Sequence, residues 1–308
     1  MRAGEGEGLD ARAILDRRRL RRRLGLWRLL AIAAVAAAVA TIGWRAAPEG
    51  GPLERPHVAR FAVEGVILDD PDRDRTLRRL AESDAARAVI VRIDSPGGTV
   101  TGSEALFQSL RAIAERKPVV AVMGEAAASG GYIAALAADR ILARGGTLTG
   151  SIGVVAEFPN IQELLDNIGV GFSRVASGPL KAEPSPLREP SPEVLAAQEA
   201  LIADSYAWFI GLVAERRGFD EQTARALGDG RVFTGRQAAA VGLVDQIGGE
   251  PEARDWLADA RGVARNLPVR DVEVDRPRRS LFALVEAQAR RALLEAWAAA
   301  PRLMAVVR

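Results

Sequence analysis

Short apolar runs alternate with segments of helical periodicity through the middle of the chain. The first run alternates apolar and polar positions, and the next two are continuous, as in strands that are buried on both faces. The predicted strands are 58–68, 87–94 and 118–123, and the predicted helices between and after them are 76–83, 100–116 and 129–138. This repeated strand–helix order predicts an α/β fold with a parallel sheet.

The second half continues with shorter elements. The predicted strands are 139–143, 151–155, 171–176 and 268–274, and the predicted helices are 160–168, 193–217, 219–228, 235–241 and 250–261. Residues 184–192 carry four prolines, which predicts a loop. Ser280 is a suitable N-cap for a final amphipathic helix over 280–299, which could pack on the domain, contact another subunit or rest on a membrane.

The N-terminal region combines a block of arginines with an apolar run. Residues 24–44 are apolar except for Arg28, and a membrane-spanning helix needs about 20 such residues. Because the arginines precede the run, we expect residues 1–23 to be a basic cytoplasmic tail and 24–44 an uncleaved anchor. A cleaved signal peptide and a buried alanine-rich helix are the competing interpretations. Residues 45–57 are rich in proline and glycine and predict a linker.

The composition excludes several catalytic mechanisms but does not by itself identify the class of protein. Apolar residues make up 48% of the chain, its net charge is +2, and it has no cysteine and one histidine, His57. A cysteine nucleophile and cysteine-based metal sites are therefore excluded, and His57 is poorly placed for a Ser-His-Asp triad. No phosphate-binding loop, dinucleotide fingerprint, metal signature or nucleic-acid pattern is present, so we predict no cofactor and no nucleic-acid partner.

Ser129 is the first candidate nucleophile. It follows an apolar run and opens a predicted helix in the sequence AASGGY, where the helix dipole favours developing negative charge. The amide of Gly130 could then face a tetrahedral oxyanion, and the glycines allow close approach of a substrate. An ordinary N-cap serine is the simpler interpretation of the same residue.

A second glycine turn, DSPGG at 94–98, ends the buried strand 87–94. Such a turn removes side chains and lets backbone amides face a ligand, so one of them could form half of an oxyanion hole. A plain tight turn at a strand end explains the same residues.

Lysine usage singles out Lys181, because the chain has only two lysines, Lys117 and Lys181, among 42 basic residues. Arginine stays protonated and cannot act as a base, whereas a lysine that is buried without a carboxylate partner favours the neutral amine. A neutral amine at position 181 could take the proton of Ser129, with the hydroxyl of Ser151 holding the amine in place. A surface lysine and a strand-start serine are the simpler interpretations.

Taken in order, these motifs resemble the short form of the signal peptide peptidase A family, which belongs to the ClpP/crotonase superfamily. The resemblance rests on IDSPGG at 93–98, AASGGYIAALAADRI at 127–141, TGSIGVV at 149–155, SGPLKAEPSP at 177–186 and FTGRQAAAVGLVDQIGG at 233–249. It implies a peptidase domain over 58–249, folded as a spiral of ββα turns, with 250–308 as a C-terminal helical extension that contacts another subunit. The loop after Lys181 is richer in proline and acidic residues than the family pattern, which affects substrate access.

The resemblance also implies roles for particular residues. Ser129 would be the nucleophile, Lys181 the general base, Ser151 the residue that orients it, Gly97 and Gly130 the oxyanion donors, and Gly98 and Gly131 supports of the turn. Such enzymes form rings in which serine and lysine can come from adjacent subunits. The expected substrates are remnant signal peptides, and the expected location is the bacterial inner membrane, with the catalytic domain on the periplasmic side.

Three other functions fit parts of the pattern. A related Ser-Lys peptidase could act on one specific membrane protein, and the sequence does not separate that function from the first. A non-catalytic membrane scaffold would not need both Ser129 and Lys181. An acyl-CoA enzyme of the crotonase type would be soluble and would use acidic residues for proton transfer.

Overall fold

The computed structural model describes residues 55–276 together with Trp27, Ala31 and Ala34. The chain divides into two units, Met1–Arg55 and Pro56–Arg308, and nearly all described residues belong to the second. Apart from those three positions, which are helical, the predicted tail and anchor lie outside the described residues, as does the predicted helix 280–299. Among the helices that are described, none is long and apolar enough to cross a membrane.

The first half of the domain alternates strands and helices, as its hydrophobic pattern predicts. The elements are β1 His57–Ile67, α1 Pro71–Glu82, β2 Ala86–Gly98, α2 Val100–Ala114, β3 Val119–Ala128, α3 Gly130–Leu136 and β4 Arg140–Ala143. Helix α1 begins earlier than predicted because Asp70 accepts hydrogen bonds from the amides of Asp72 and Arg73, and Pro71 suits the first helical turn. Thr99 caps α2 by accepting from the amide of Gly102.

The second half departs more from the predicted pattern. Its elements are β5 Leu148–Gly150, α4 Gln162–Asn167, α5 Pro192–Arg217, α6 Glu221–Leu227, β6 Val232–Thr234, α7 Gly235–Ala240, β7 Gln246–Ile247, α8 Glu250–Arg261 and β8 Val269–Val272. The predicted strand 151–155 is wrong, because the strand ends at Gly150, where the backbone turns through positive φ. The predicted strand 171–176 is also wrong, since those residues pair with no strand of the described chain.

The strands form one sheet in the order β6-β5-β3-β2-β1-β8, with β4 paired to β3 and β7 paired to β4. Every pairing is parallel except that of β5 with β6, so the predicted α/β class with a parallel sheet is confirmed. Strand β3 has two neighbours on the same side. Its first part, Val120–Met123, pairs with β4, and its end, Ala126–Ala128, pairs with β5.

Alternate residues of the strands face two separate hydrophobic clusters, because side chains alternate across a sheet. Phe61, Val91 and Met123 belong to the larger cluster, which α2, α3 and α5 cover. Ile90 and Val120 face the other side, where Leu257 of α8 covers them. Helix α8 therefore packs on the central strands, and β8 pairs with β1, so residues 250–272 belong to the same unit as the rest of the domain.

One long stretch takes no part in this core. We call residues 154–191 the outer segment; it includes α4, and none of its residues is buried. Its apolar side chains are instead strongly exposed, Val155 to 79% and Val175 to 102%. Exposed apolar groups at this density are typical of an interaction surface.

Candidate active site

The site lies where β2 and β3 end and α2 and α3 begin. Neighbouring parallel strands finish at the same edge of a sheet, so the turn after β2 and the turn after β3 meet there. Both turns are built almost entirely from small residues, SPGG at 95–98 and ASGG at 128–131. This juxtaposition brings the two predicted glycine turns together.

Ser129 sits between the end of β3 and the start of α3 with φ +52 and ψ −119. A non-glycine residue rarely adopts positive φ, and such backbone strain collects at functional sites. The amide of Ser129 donates to the carbonyl of Gly150 at 2.9 Å, which fixes the turn. Its side chain makes no capping bond to α3, so the N-cap interpretation does not account for this serine. The hydroxyl is left available for another partner.

The glycines of the two turns allow their backbones to touch. Gly97 has φ +117, and a Cβ there would lie 2.9 Å from Cβ of Ser129. A Cβ on Gly130 would lie 3.2 Å from the nitrogen of Gly98 and 2.2 Å from Oγ of Ser103. A Cβ on Gly131 would lie 2.7 Å from the carbonyl oxygen of Ser95. Only residues without side chains permit this approach of one turn to the other.

The amides of Gly97 and Gly98, both in the turn after β2, differ in their hydrogen bonding. Gly97 was expected to donate to the oxyanion, but its amide donates to Oγ of Ser95 at 3.1 Å. Ser95 is fully buried, and its hydroxyl donates to the carbonyl of Gly65 at 2.6 Å. Since Gly98 presents its nitrogen toward Gly130, this geometry favours Gly98 over Gly97 as the second amide donor. Ser95 thus holds the turn, a role that the sequence did not suggest.

A cavity of about 630 Å³ opens beside Ser129. Gly98, Gly130 and Ser151 line it, so the structure brings these three predicted residues to the candidate nucleophile. Ser151 has φ +48, and its amide donates to the carbonyl of Arg231 at 2.8 Å. Most of the wall is apolar and comes from Val66, Val100, Ile133, Val154, Trp208 and Phe209. Trp208 and Phe209 lie in α5, far along the chain, and no motif marked them.

Lys181 is not among the residues that line this cavity. It is exposed in the outer segment, and among the described residues its Nζ has no hydrogen-bond or ion-pair partner. The other lysine, Lys117, stabilises the fold. Its Nζ donates to the carbonyls of Leu80 and Ser83 at 2.9 and 2.5 Å. Partial burial lowers the pKa of Lys117. The single chain therefore assembles the serine and the amides but not the lysine.

His57 is at the wrong end of the sheet for a triad. It begins β1, a strand of 11 residues, whereas the site lies at the carboxyl ends of the strands. At about 3.3 Å per residue, the strand separates the histidine from that edge by roughly 30 Å. Within the described part of the chain, no group of histidine and carboxylate side chains could hold a metal ion.

The model of peptidase family S49 matches residues 111–264, which include Ser129, Ser151 and Lys181. The chain belongs to peptidase family S49. A second model, described as Clp protease, matches residues 74–144.

Individual relatives agree with the S49 assignment. A Synechocystis sp. protein named as a protease is 41% identical over 211 residues, covering 68% of this chain and 76% of the relative. Serine protease SPPA of Arabidopsis chloroplasts is 35% identical, covering 75% of this chain and 33% of its own. Protease 4 of Salmonella typhi is 40% identical, covering 68% and 35%. The chain thus spans about a third of the two longer relatives. It is a serine peptidase of the S49 family.

A substitution of Gly98 tests the described geometry of the turn after β2. A Cβ there would lie 1.8 Å from the carbonyl oxygen of Ile67, and backbone cannot yield as a flexible side chain can. We expect Gly98→Ala to cost at least about 3 kcal/mol of unfolding free energy. The melting temperature should then fall by about 6–12 °C. Gly146→Ala is the matched control, because a Cβ there meets nothing within 4 Å. A Gly98→Ala melting temperature within about 1 °C of wild type would contradict the described turn.

Proposed function

We propose that this S49 peptidase is a Ser-Lys endopeptidase that cuts apolar peptides, foremost remnant signal peptides left in a membrane. One observation carries the proposal: Ser129, strained and with its hydroxyl uncommitted, faces the Gly98 and Gly130 turns in a cavity with apolar walls. The strain at Ser129 is a sign of a functional turn, and the apolar walls suit a chain of aliphatic side chains.

The reaction follows from these groups. Oγ of Ser129 attacks the peptide carbonyl carbon while its proton passes to the neutral amine of Lys181. The amides of Gly98 and Gly130 donate to the oxyanion that forms. When the C–N bond breaks, the lysine ammonium returns its proton to the leaving amine, and an acyl-enzyme remains. Water then attacks the ester and loses its proton to the lysine. When the ester C–O bond breaks, the lysine ammonium returns that proton to Oγ of Ser129, and the acid is released.

The position of Lys181 leads to a further element of the proposal. The lysine is exposed and outside the cavity of its own chain, in an outer segment that has no buried residue. Exposed apolar side chains of this segment would be covered in a homo-oligomer. We therefore propose that the active enzyme is a ring in which Lys181 of one subunit serves Ser129 of its neighbour. A monomer would then lack its base, which protects other proteins before assembly.

The arginine-rich N-terminal sequence supports a membrane location for the enzyme. Residues 24–44 would anchor it in the bacterial inner membrane with its N-terminus in the cytoplasm and the catalytic domain outside. Remnant signal peptides are apolar and reside in that membrane, so the anchor and the cavity select the same class of substrate.

Matched peptides test this substrate class. The purified chain, in detergent, is incubated with a synthetic signal peptide and with the same peptide carrying serines in place of two central leucines. We expect kcat/KM to be at least tenfold higher for the apolar peptide, because each lost leucine side chain removes about 1–3 kcal/mol of binding. Equal rates would contradict apolar selection. Cleavage of neither peptide by the assembled enzyme would favour the scaffold function or a specific membrane-protein substrate.

A further inference from the structure

Lys181 depends on its backbone for its position, because its side chain has no anchor of its own. Among the described residues, Nζ makes no hydrogen bond, and the amide of Lys181 donates only a long bond of 3.3 Å to the carbonyl of Gly178. The surrounding outer segment has no buried residue, so the hydrophobic core does not hold it either. Within the described chain, the contacts that can fix the lysine therefore lie in its own loop.

That loop contains one carboxylate that is almost completely covered. The side chain of Glu183 is 2% exposed and is paired with both Arg174 and Arg188. Both guanidinium groups donate to Oε1, and the amide of Ser185 donates to Oε2 at 3.0 Å. With three donors, this carboxylate connects chain segments that precede and follow it, through charge-assisted hydrogen bonds.

The two arginines come from opposite sides of the lysine. Arg174 precedes Lys181 and Arg188 follows it, so Glu183 ties the two flanks of the loop together. Nη2 of Arg174 is buried and has no hydrogen-bond partner in the described chain, so the carboxylate is the group that compensates its charge. The hydrogen bond from Arg188 holds the pKa of Glu183 below its ordinary value, and the carboxylate is therefore charged at neutral pH.

The backbone between the lysine and the glutamate is strained. Ala182 has φ +59, a conformation that L-residues with a Cβ rarely adopt. Such a residue keeps this conformation only when its neighbours over-determine it. Glu183 follows it directly and is fixed on both oxygens, so the clamp supplies that constraint. Loss of the clamp would let Ala182 relax and would turn the Lys181 backbone away from its present direction.

We propose that Glu183 is a positioning residue for Lys181: its carboxylate, clamped by Arg174 and Arg188, fixes the loop that presents the amine. The inference rests on the proposed Ser-Lys function and adds to it the group that sets the geometry of the base. A misplacement of about 1 Å can cost a reaction about 100-fold. Because Glu183 does not line the cavity beside Ser129, we expect its substitution to change substrate binding little.

The test compares Glu183→Gln with Glu189→Gln in the full chain. Glu189 lies in the same loop and is exposed, and it accepts from Nδ2 of Asn160 at 2.6 Å without an arginine partner. For the apolar signal peptide we expect Glu183→Gln to lower kcat by about 10- to 100-fold with KM within about twofold. Glu189→Gln should keep kcat within about twofold of wild type. Oligomer mass and melting temperature are measured for each variant.

A double variant separates positioning from general damage to the loop. If Glu183 acts through the lysine, Glu183→Gln should add no loss of kcat in a Lys181→Ala background. Should Glu183→Gln fail to assemble, Arg188→Gln replaces it, since Arg188 is 46% exposed and Arg174 stays in place. That variant should lower kcat by about 3- to 10-fold at unchanged KM.

The outcomes distinguish this inference from the function on which it rests. If peptide cleavage does not depend on Lys181, both the positioning role of Glu183 and the proposed Ser-Lys function are wrong. Cleavage could instead depend on Lys181 while Glu183→Gln leaves kcat unchanged or alters only KM. That result would overturn the positioning role of Glu183 but not the Ser-Lys function. A further loss in the double variant would likewise assign Glu183 to the integrity of the loop.

Discussion

Replacing Ser129 with alanine should abolish peptide cleavage, with a loss of at least about 10,000-fold in kcat. The hydroxyl makes no capping bond, and alanine tolerates positive φ about as well as serine, so the fold should persist. We expect the melting temperature to stay within about 2 °C of wild type. Cleavage of the signal peptide is measured by mass spectrometry, together with covalent labelling by a fluorophosphonate, which should disappear.

Ser109→Ala is the matched control for this substitution, because Ser109 lies in α2 and does not line the cavity. It should cleave and be labelled as wild type is. If Ser129→Ala kept more than about 1% of wild-type kcat, another nucleophile would have to be sought, and Ser151 would be examined first.

The second large effect concerns the two lysines. Lys181→Arg should lower kcat by about 1,000-fold or more, because a guanidinium keeps its proton and cannot accept that of the serine. Lys117→Arg removes the other lysine amine, yet a guanidinium can still donate to the carbonyls of Leu80 and Ser83. It should retain activity within about threefold. We measure the cleavage kinetics of both variants, with oligomer mass as a control. The comparison shows whether the amine of Lys181 in particular is the base.

Co-expression of Lys181→Arg with Ser129→Ala extends this test to the assembly. If serine and lysine meet between subunits, mixed rings contain sites with both intact groups, roughly a quarter of all sites at equal expression. Activity should then return to about that fraction of wild type. If the two inactive variants remain inactive in stable mixed rings, the serine and the lysine of each site come from the same subunit. Equal loss in Lys181→Arg and Lys117→Arg would instead remove Lys181 as the specific base.

The two glycine turns could be predicted because each is a short run of small residues between a strand and a helix. The glycines at 97, 98, 130 and 131 are needed wherever two turns touch, and the strained serine lies between strand and helix as its neighbours suggest. Which amide is available could not be predicted. That depends on the hydroxyl of Ser95, whose hydrogen bond to the Gly97 amide is seen only once the chain is folded.

The outer segment shows why its structure could not be predicted. Residues 171–176 are predicted to form a strand, but a strand also needs a neighbour, and the described chain provides none. The clamp on Glu183 joins residues that no periodicity connects, because long side chains of one loop meet there. Strand β6 was missed for a related reason: three residues are too few to show an alternating pattern.

The double pairing of β3 determines when the site can form during synthesis. The end of β3 is held by β5, and Ser129 donates its amide to Gly150 at the end of that strand. Strand β5 in turn pairs with β6, which is translated much later. A nascent chain that ends before β6 therefore lacks one of the two strands that hold β5 in place. The Ser129 turn can gain its full set of strand contacts only after residues 232–234 have been synthesised.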